Sequence, residues 1–145
     1  MNEPTTANRI ARWHLLFGLV FAVVGMCLGI FMAISKVHVQ HVTHAHALLL
    51  GFVVSLLYAV IYRLWVTEAA PKLATTQTAL HEVGTMILMI GLFLLFGGFA
   101  AEATLEPFLA VGSLSVLGGA LVMLYQAARV GQGVRAPHTT VAGPV

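Results

Sequence analysis

The chain has 145 residues, of which 59% are hydrophobic and 8% are charged. A soluble globular domain carries roughly 25% charged residues, so this composition excludes a soluble enzyme and predicts a membrane protein. Seven Lys and Arg residues against five Asp and Glu leave a formal charge of +2. The basic residues are scattered between apolar blocks, so we expect no nucleic-acid partner. The single cysteine, Cys27, permits neither an intrachain disulfide nor a cysteine-based metal cluster, and histidine must carry any metal chemistry.

Four apolar runs predict an all-α integral membrane protein, a four-helix bundle in the lipid bilayer. Each run is close to the roughly 20 residues that cross a hydrocarbon core about 30 Å thick. The runs extend from about Trp13 to Ser35, Ala45 to Trp65, Val83 to Ala101 and Phe108 to Ala128. Residues 1–130 then form a single four-span domain, and residues 131–145 are predicted to be a disordered tail. Pro71 and Pro107 are predicted to lie in loops.

The basic residues predict the orientation of the bundle. They stand before the first span, after the second and after the fourth: Arg9, Arg12, Arg63, Lys72, Arg129 and Arg135. The remaining loops carry Lys36 against Glu102 and Glu106. Because positive residues favour the cytoplasmic side, we expect both termini in the cytoplasm. In a bacterium, the inner membrane would hold the protein and the other two loops would face the periplasm.

Glycines recur at helical spacings in three of the spans. The pairs are Gly25 with Gly29, Gly84 with Gly91, and Gly112 with Gly119. Small residues at such spacings let helix backbones approach closely. Two interpretations stay open, either ordinary packing within the bundle or the close approach of a cofactor.

Five of the seven histidines lie at or inside the predicted span boundaries. His41, His44 and His46 are at the outer start of the second span, and His14 and His81 are at the inner starts of the first and third. The stretch from Lys36 to Ala47, which also contains His38, has four histidines and no acidic residue. Ionisable groups within spans are costly and generally functional.

The spacing of these histidines has two structural interpretations. If a helix includes the whole stretch, His38, His41 and His44 share one face, whereas His44 and His46 point about 200° apart. Two residues so placed cannot chelate one metal ion, but they can serve two sites on opposite sides of the helix. Alternatively, the helix begins at Thr43 as an N-cap, and His38 and His41 lie in a flexible loop.

Three kinds of chemistry fit these imidazoles. They can be interfacial side chains that stay neutral and partly solvated. His38, His41, His44 and His46 can instead bind copper or another divalent metal at the outer face. Two imidazoles on opposite faces of a porphyrin would hold a six-coordinate heme.

The inner histidines allow a similar range of roles. His81 is followed by Glu82, and the two could form a proton-handling pair, a second metal position or a simple polar helix start. His14 follows Trp13 and could belong to an interfacial aromatic belt. Because His14 and His81 lie on the same membrane side, they could also sandwich a heme.

Two segments carry a resemblance to a known family. The run from His44 to Phe52, His-Ala-His-Ala-Leu-Leu-Leu-Gly-Phe, continues to Tyr58 and Tyr62-Arg63. It resembles the HAH...LLGF/W...Y segments in catalytic-subunit-like proteins of the heme-copper oxidase superfamily, including relatives of the cbb-type oxidases and nitric oxide reductases. The run from His81 to Gly84, with Met86 and Gly91, looks like the HxxG...M..G helix that follows in some of them.

The resemblance implies a heme protein. The family's catalytic subunit has twelve spans in three groups of four, and its HxH helix gives one histidine to each of two hemes near the outer surface. His44 and His46 match that position on the second span. The implied function is heme b binding in electron transfer or as a respiratory oxidase accessory, and any catalysis would be that of an oxidoreductase. Three copies of the chain, a homotrimer, would reproduce the twelve-helix plan.

Two other functions remain open on the sequence alone. One is the outer-face copper or divalent metal module, for binding or transport. The other is a non-catalytic structural subunit that packs against a larger respiratory-chain complex, with its histidines at the interface.

Overall fold

The computed structural model describes residues 5–130, which contain four long helices. They are α1 (Thr6–Ser35), α2 (His41–Leu64), α3 (Pro71–Phe96) and α4 (Glu102–Val130). Each helix is long and apolar enough to cross a membrane, and no strand occurs in this part of the chain. The predicted all-α chain with four membrane-suited helices is confirmed. The predicted tail, 131–145, lies outside the described residues.

The first helix begins before its apolar run. α1 starts at Thr6 rather than Trp13, and the Thr5 hydroxyl accepts a hydrogen bond from the Asn8 amide (3.3 Å) as an N-cap. His14 is therefore eight residues, about 12 Å, along the helix from its first residue. It lies inside the bundle and not at its edge.

The third helix also begins before its apolar run, by a larger number of residues. α3 starts at Pro71 rather than Val83, because proline suits the first helical turn, where its missing N–H needs no partner. Pro71 thus begins a helix instead of lying in a loop. His81 comes ten residues later, about 15 Å along the axis. It too is inside the bundle.

The prediction that Pro107 lies in a loop is also wrong. α4 begins at Glu102 rather than Phe108, so Pro107 lies inside the helix. Proline removes the hydrogen bond to the carbonyl group four residues earlier, here that of Ala103. A loss this near the helix start leaves the later turns intact.

The second helix contains most of the histidine-rich stretch. α2 begins at His41, and Thr43 lies within its first turn instead of capping it. The Thr43 hydroxyl donates to the Gln40 side chain (2.7 Å) just before the helix. From Ala47 to Val54 the backbone widens into π-helical turns, which often accompany functional sites.

The helices pack as two antiparallel pairs, α1 with α2 and α3 with α4. α3 also contacts α1 and α2, whereas α4 packs chiefly on α3. Glycines occupy the closest contacts of the first pair. A Cβ atom on Gly25 would lie 2.5 Å from Leu48 Cδ2, and one on Gly29 would lie 2.9 Å from His44 Cε1.

Glycines also hold the second pair together. A Cβ on Gly112 would lie 2.9 Å from the Leu88 backbone nitrogen and 3.0 Å from the Gly84 carbonyl oxygen. The six glycines singled out in the sequence thus serve packing inside the chain. Their faces are not left free for contacts between subunits.

This packing predicts unequal effects of alanine at two glycines of α4. Gly112→Ala should lower the free energy of unfolding by about 1–3 kcal/mol, because the α3 backbone must move away. Gly118→Ala is the matched control, since its Cβ would meet only Leu80 Cδ1 at an ordinary 3.5 Å, and alanine favours helix. Reversible unfolding in mixed detergent micelles measures both. Equal effects of the two substitutions would contradict the packing.

Candidate functional site

Backbone carbonyl groups fix the imidazoles of His44 and His46. His44 Nδ1 lies 2.8 Å from the Gly25 carbonyl oxygen of α1, and His46 Nδ1 lies 2.9 Å from the Val42 carbonyl oxygen. A carbonyl oxygen only accepts hydrogen bonds, so Nδ1 carries the proton in both rings. Nε2 of the neutral imidazole then keeps a free lone pair, the form that binds metals.

The free Nε2 atoms of these two rings remain accessible. Neither atom has a hydrogen-bond partner within residues 5–130, and neither atom is completely buried. Metal-bound histidines almost always donate their other ring N–H to a carbonyl or carboxylate group. The Nδ1 contacts of His44 and His46 are of this kind.

The two imidazoles belong to different surroundings. The His44 ring packs on α1, where Gly29 leaves the room it needs. His46 bonds within its own helix and lies about 200° further round it. The helix therefore directs the two rings towards different surroundings, and the two binding sites stay a prediction.

The other outer histidines do not join them. His38 stays in the loop before α2, and its carbonyl accepts a hydrogen bond from Nδ1 of the exposed His41 (3.0 Å). Across residues 5–130, no three His, Cys, Asp or Glu side chains are placed to hold one metal ion. The four histidines proposed for copper therefore do not form one centre within the chain.

A second polar group lies buried towards the other end of the bundle. Six of its side chains are 0% exposed: His14, Ser55, Tyr62, Gln77, His81 and Thr85. They come from α1, α2 and α3 and form the inner polar cluster. The two inner histidines are brought together, with ring centroids 5.9 Å apart.

One hydrogen-bond chain links four side chains of this region. His14 Nε2 lies 3.0 Å from Gln77 Oε1, which also accepts from the Tyr62 hydroxyl (3.2 Å). Gln126 of α4 donates to the same hydroxyl (3.0 Å). The chain ties all four helices together through polar contacts.

The π-helical turns contribute to the environment of His81. His81 Nε2 lies 2.9 Å from the Ser55 hydroxyl, which donates to the Leu50 carbonyl five residues before it (3.5 Å). His81 Nε2 therefore donates to Ser55, and its Nδ1 is buried without a partner.

The carboxylate of Glu82 faces His14 and not His81. Successive residues of a helix point about 100° apart, so the predicted His81–Glu82 pair does not form. Instead, Glu82 Oε1 lies 3.4 Å from His14 Nδ1. With His14 Nε2 donating to Gln77, both facing atoms are acceptors, and a proton between them would relieve their repulsion.

The inner polar cluster does not fit the predicted heme between His14 and His81. Tyr58 lies against both rings, with centroid distances of 5.5 and 4.9 Å. Tyr62 stacks on His14 at 5.9 Å, and Phe17 is 6.4 Å from His81. Because these rings fill the space that a porphyrin needs, we assign no cofactor to this cluster.

Besides its two histidines, the cluster contains polar residues that the sequence analysis did not identify. Gln77, His81 and Thr85 stand at successive four-residue intervals and so share one face of α3. This polar stripe within an apolar helix was the sequence feature from which the buried cluster could have been predicted. Gln126 had no such signal, because its role depends on how α4 is rotated.

Comparisons with protein-family models, curated proteins and solved structures find no match to this chain.

The inner polar cluster predicts that Tyr62 stabilises the bundle through its hydroxyl. Tyr62→Phe should lower the free energy of unfolding by about 1–3 kcal/mol, since buried amide groups lose a partner. Tyr125→Phe is the control, because this ring is 45% exposed and keeps its contact with Arg129. Unfolding in mixed micelles compares the two variants. A Tyr62→Phe protein as stable as its control would refute the role of the hydrogen-bond chain.

Proposed function

We propose that the protein is a membrane heme b protein of the heme-copper oxidase type, active in electron transfer or as an accessory to a respiratory oxidase. The observation that carries the proposal is the state of His44 and His46. In each ring, a carbonyl group holds Nδ1 and leaves Nε2 free. The resemblance of the surrounding HAH segment to that superfamily supports the same cofactor.

The donor set fits heme chemistry. Heme iron accepts axial imidazole ligands and supplies one-electron transfer when bound. His44 and His46 would provide the axial nitrogens, and the carbonyl groups of Gly25 and Val42 would orient the rings and increase their basicity. The apolar helices around them would limit the access of water.

The cavities of the chain favour a heme between subunits. A cavity of about 580 Å³ lies between α1, α2 and α3 beside Thr43 and Ala47, but neither His44 nor His46 lines it. A heme bound at an accessible Nε2 would therefore lie at the surface of the bundle and need another chain to cover it. A homotrimer with the twelve-helix plan meets that need, and a respiratory-chain complex is the alternative partner.

The distribution of basic residues supports an orientation for this site. With both termini in the cytoplasm of a bacterium, the loop before His41 faces the periplasm. Heme at His44 and His46 would then lie near the outer surface of the inner membrane.

Single alanine variants test the heme ligands. The wild-type protein should purify with b-type heme, and His44→Ala or His46→Ala should remove most of it or change its spin state, because an axial imidazole is lost. His38→Ala is the control, since that residue lies in the loop. Absorption spectra of oxidised and reduced protein measure the result.

Two outcomes would overturn the assignment. Unchanged Soret and α bands in both variants would exclude His44 and His46 as ligands. A colourless wild-type protein that binds stoichiometric copper would instead favour the metal module.

A further inference from the structure

A groove between α1 and α2 lies at the end of the bundle away from His44. Its volume is about 480 Å³. Its apolar lining consists of Ala11, Leu15, Leu56, Ala59, Val60 and Leu64. The groove is therefore an apolar slot at the surface that this chain presents to lipid.

Two arginines and Asn8 complete the lining of this groove. Arg12 comes from α1 and Arg63 from the last turn of α2, and both are exposed. Within residues 5–130, no acidic side chain lines the groove. Arg63 donates to the Asn8 side chain, which is neutral and does not itself compensate the charge, and a guanidinium group has further N–H donors.

Tryptophans indicate the depth of these arginines in the membrane. Trp13 and Trp65, next to Arg12 and close to Arg63 in the chain, are 58% and 61% exposed. Exposed tryptophans of membrane proteins favour the level of the lipid headgroups. Tryptophans at that level would put the two guanidinium groups near the lipid phosphates, with the apolar lining below them in the hydrocarbon.

We propose that this groove binds an anionic phospholipid. Arg12 and Arg63 hold its phosphate, which guanidinium groups recognise through paired N–H donors. One acyl chain lies along the apolar lining. Basic pockets between membrane helices recognise anionic headgroups in this manner. This lipid site is independent of the proposed heme site, because neither His44 nor His46 lines the groove.

Lipid retention measured by native mass spectrometry tests the headgroup contacts. Purified protein is loaded with phosphatidylglycerol or phosphatidylcholine of identical acyl chains and washed with detergent. Wild-type protein should retain the anionic lipid preferentially. Arg12→Gln and Arg63→Gln should each weaken that retention about fivefold. Arg129→Gln, on α4 over the Tyr125 ring, should have no effect.

A filled groove tests the acyl-chain contact separately. Val60→Trp should abolish retention of the anionic lipid, whereas Val53→Trp on the same helix should preserve it. Both valines are 40% exposed, but only Val60 lines the groove. This pair also controls for general effects of a new tryptophan on the bundle.

Three results would overturn the proposal. The first is equal retention of the two lipids by the wild-type protein. The second is unchanged retention of phosphatidylglycerol in both arginine variants. The third is displacement of the lipid by inorganic phosphate alone, which would indicate an ion site without an acyl-chain contact.

Discussion

Hydrocarbon offers no hydrogen-bond partner, so every imidazole within the spans must find one in the protein. Four histidines meet this requirement in two ways. His44 and His46 donate Nδ1–H to backbone carbonyl groups and keep an accessible Nε2. His14 and His81 bond to side chains, and their remaining nitrogens are sealed inside the bundle. The first arrangement leaves a nitrogen lone pair accessible, and the second joins helices.

The hydrogen bonds of the imidazoles depend on helix packing at both the outer and the inner end of the bundle. The Gly25 carbonyl is within reach of His44 because Gly25 and Gly29 bring α1 close to α2. At the inner end, Ser55 follows the π-helical turns, donates to the Leu50 carbonyl and accepts from His81. A change in either helix contact would therefore reorient an imidazole.

The sequence predicted the four helices, because each corresponds to an apolar run. It also predicted the different directions of His44 and His46, because these follow from their spacing in a helix. The start of α3 at Pro71 could not be predicted in this way. Hydropathy identifies the segment that contacts lipid, but a helix can extend beyond that segment into polar sequence. The pairing of His14 with Gln77 and Glu82 depends on how α1 and α3 are rotated against each other. Sequence spacing within one helix contains no information on that rotation.

We propose that the accessible imidazoles of His44 and His46 hold heme between copies of the chain. Native mass spectrometry of the protein released from mild detergent tests it most directly, because it reports subunit number and heme content together. We expect a heme-containing trimer that loses its heme when collisional activation separates the subunits. A monomer carrying its full heme complement would contradict it.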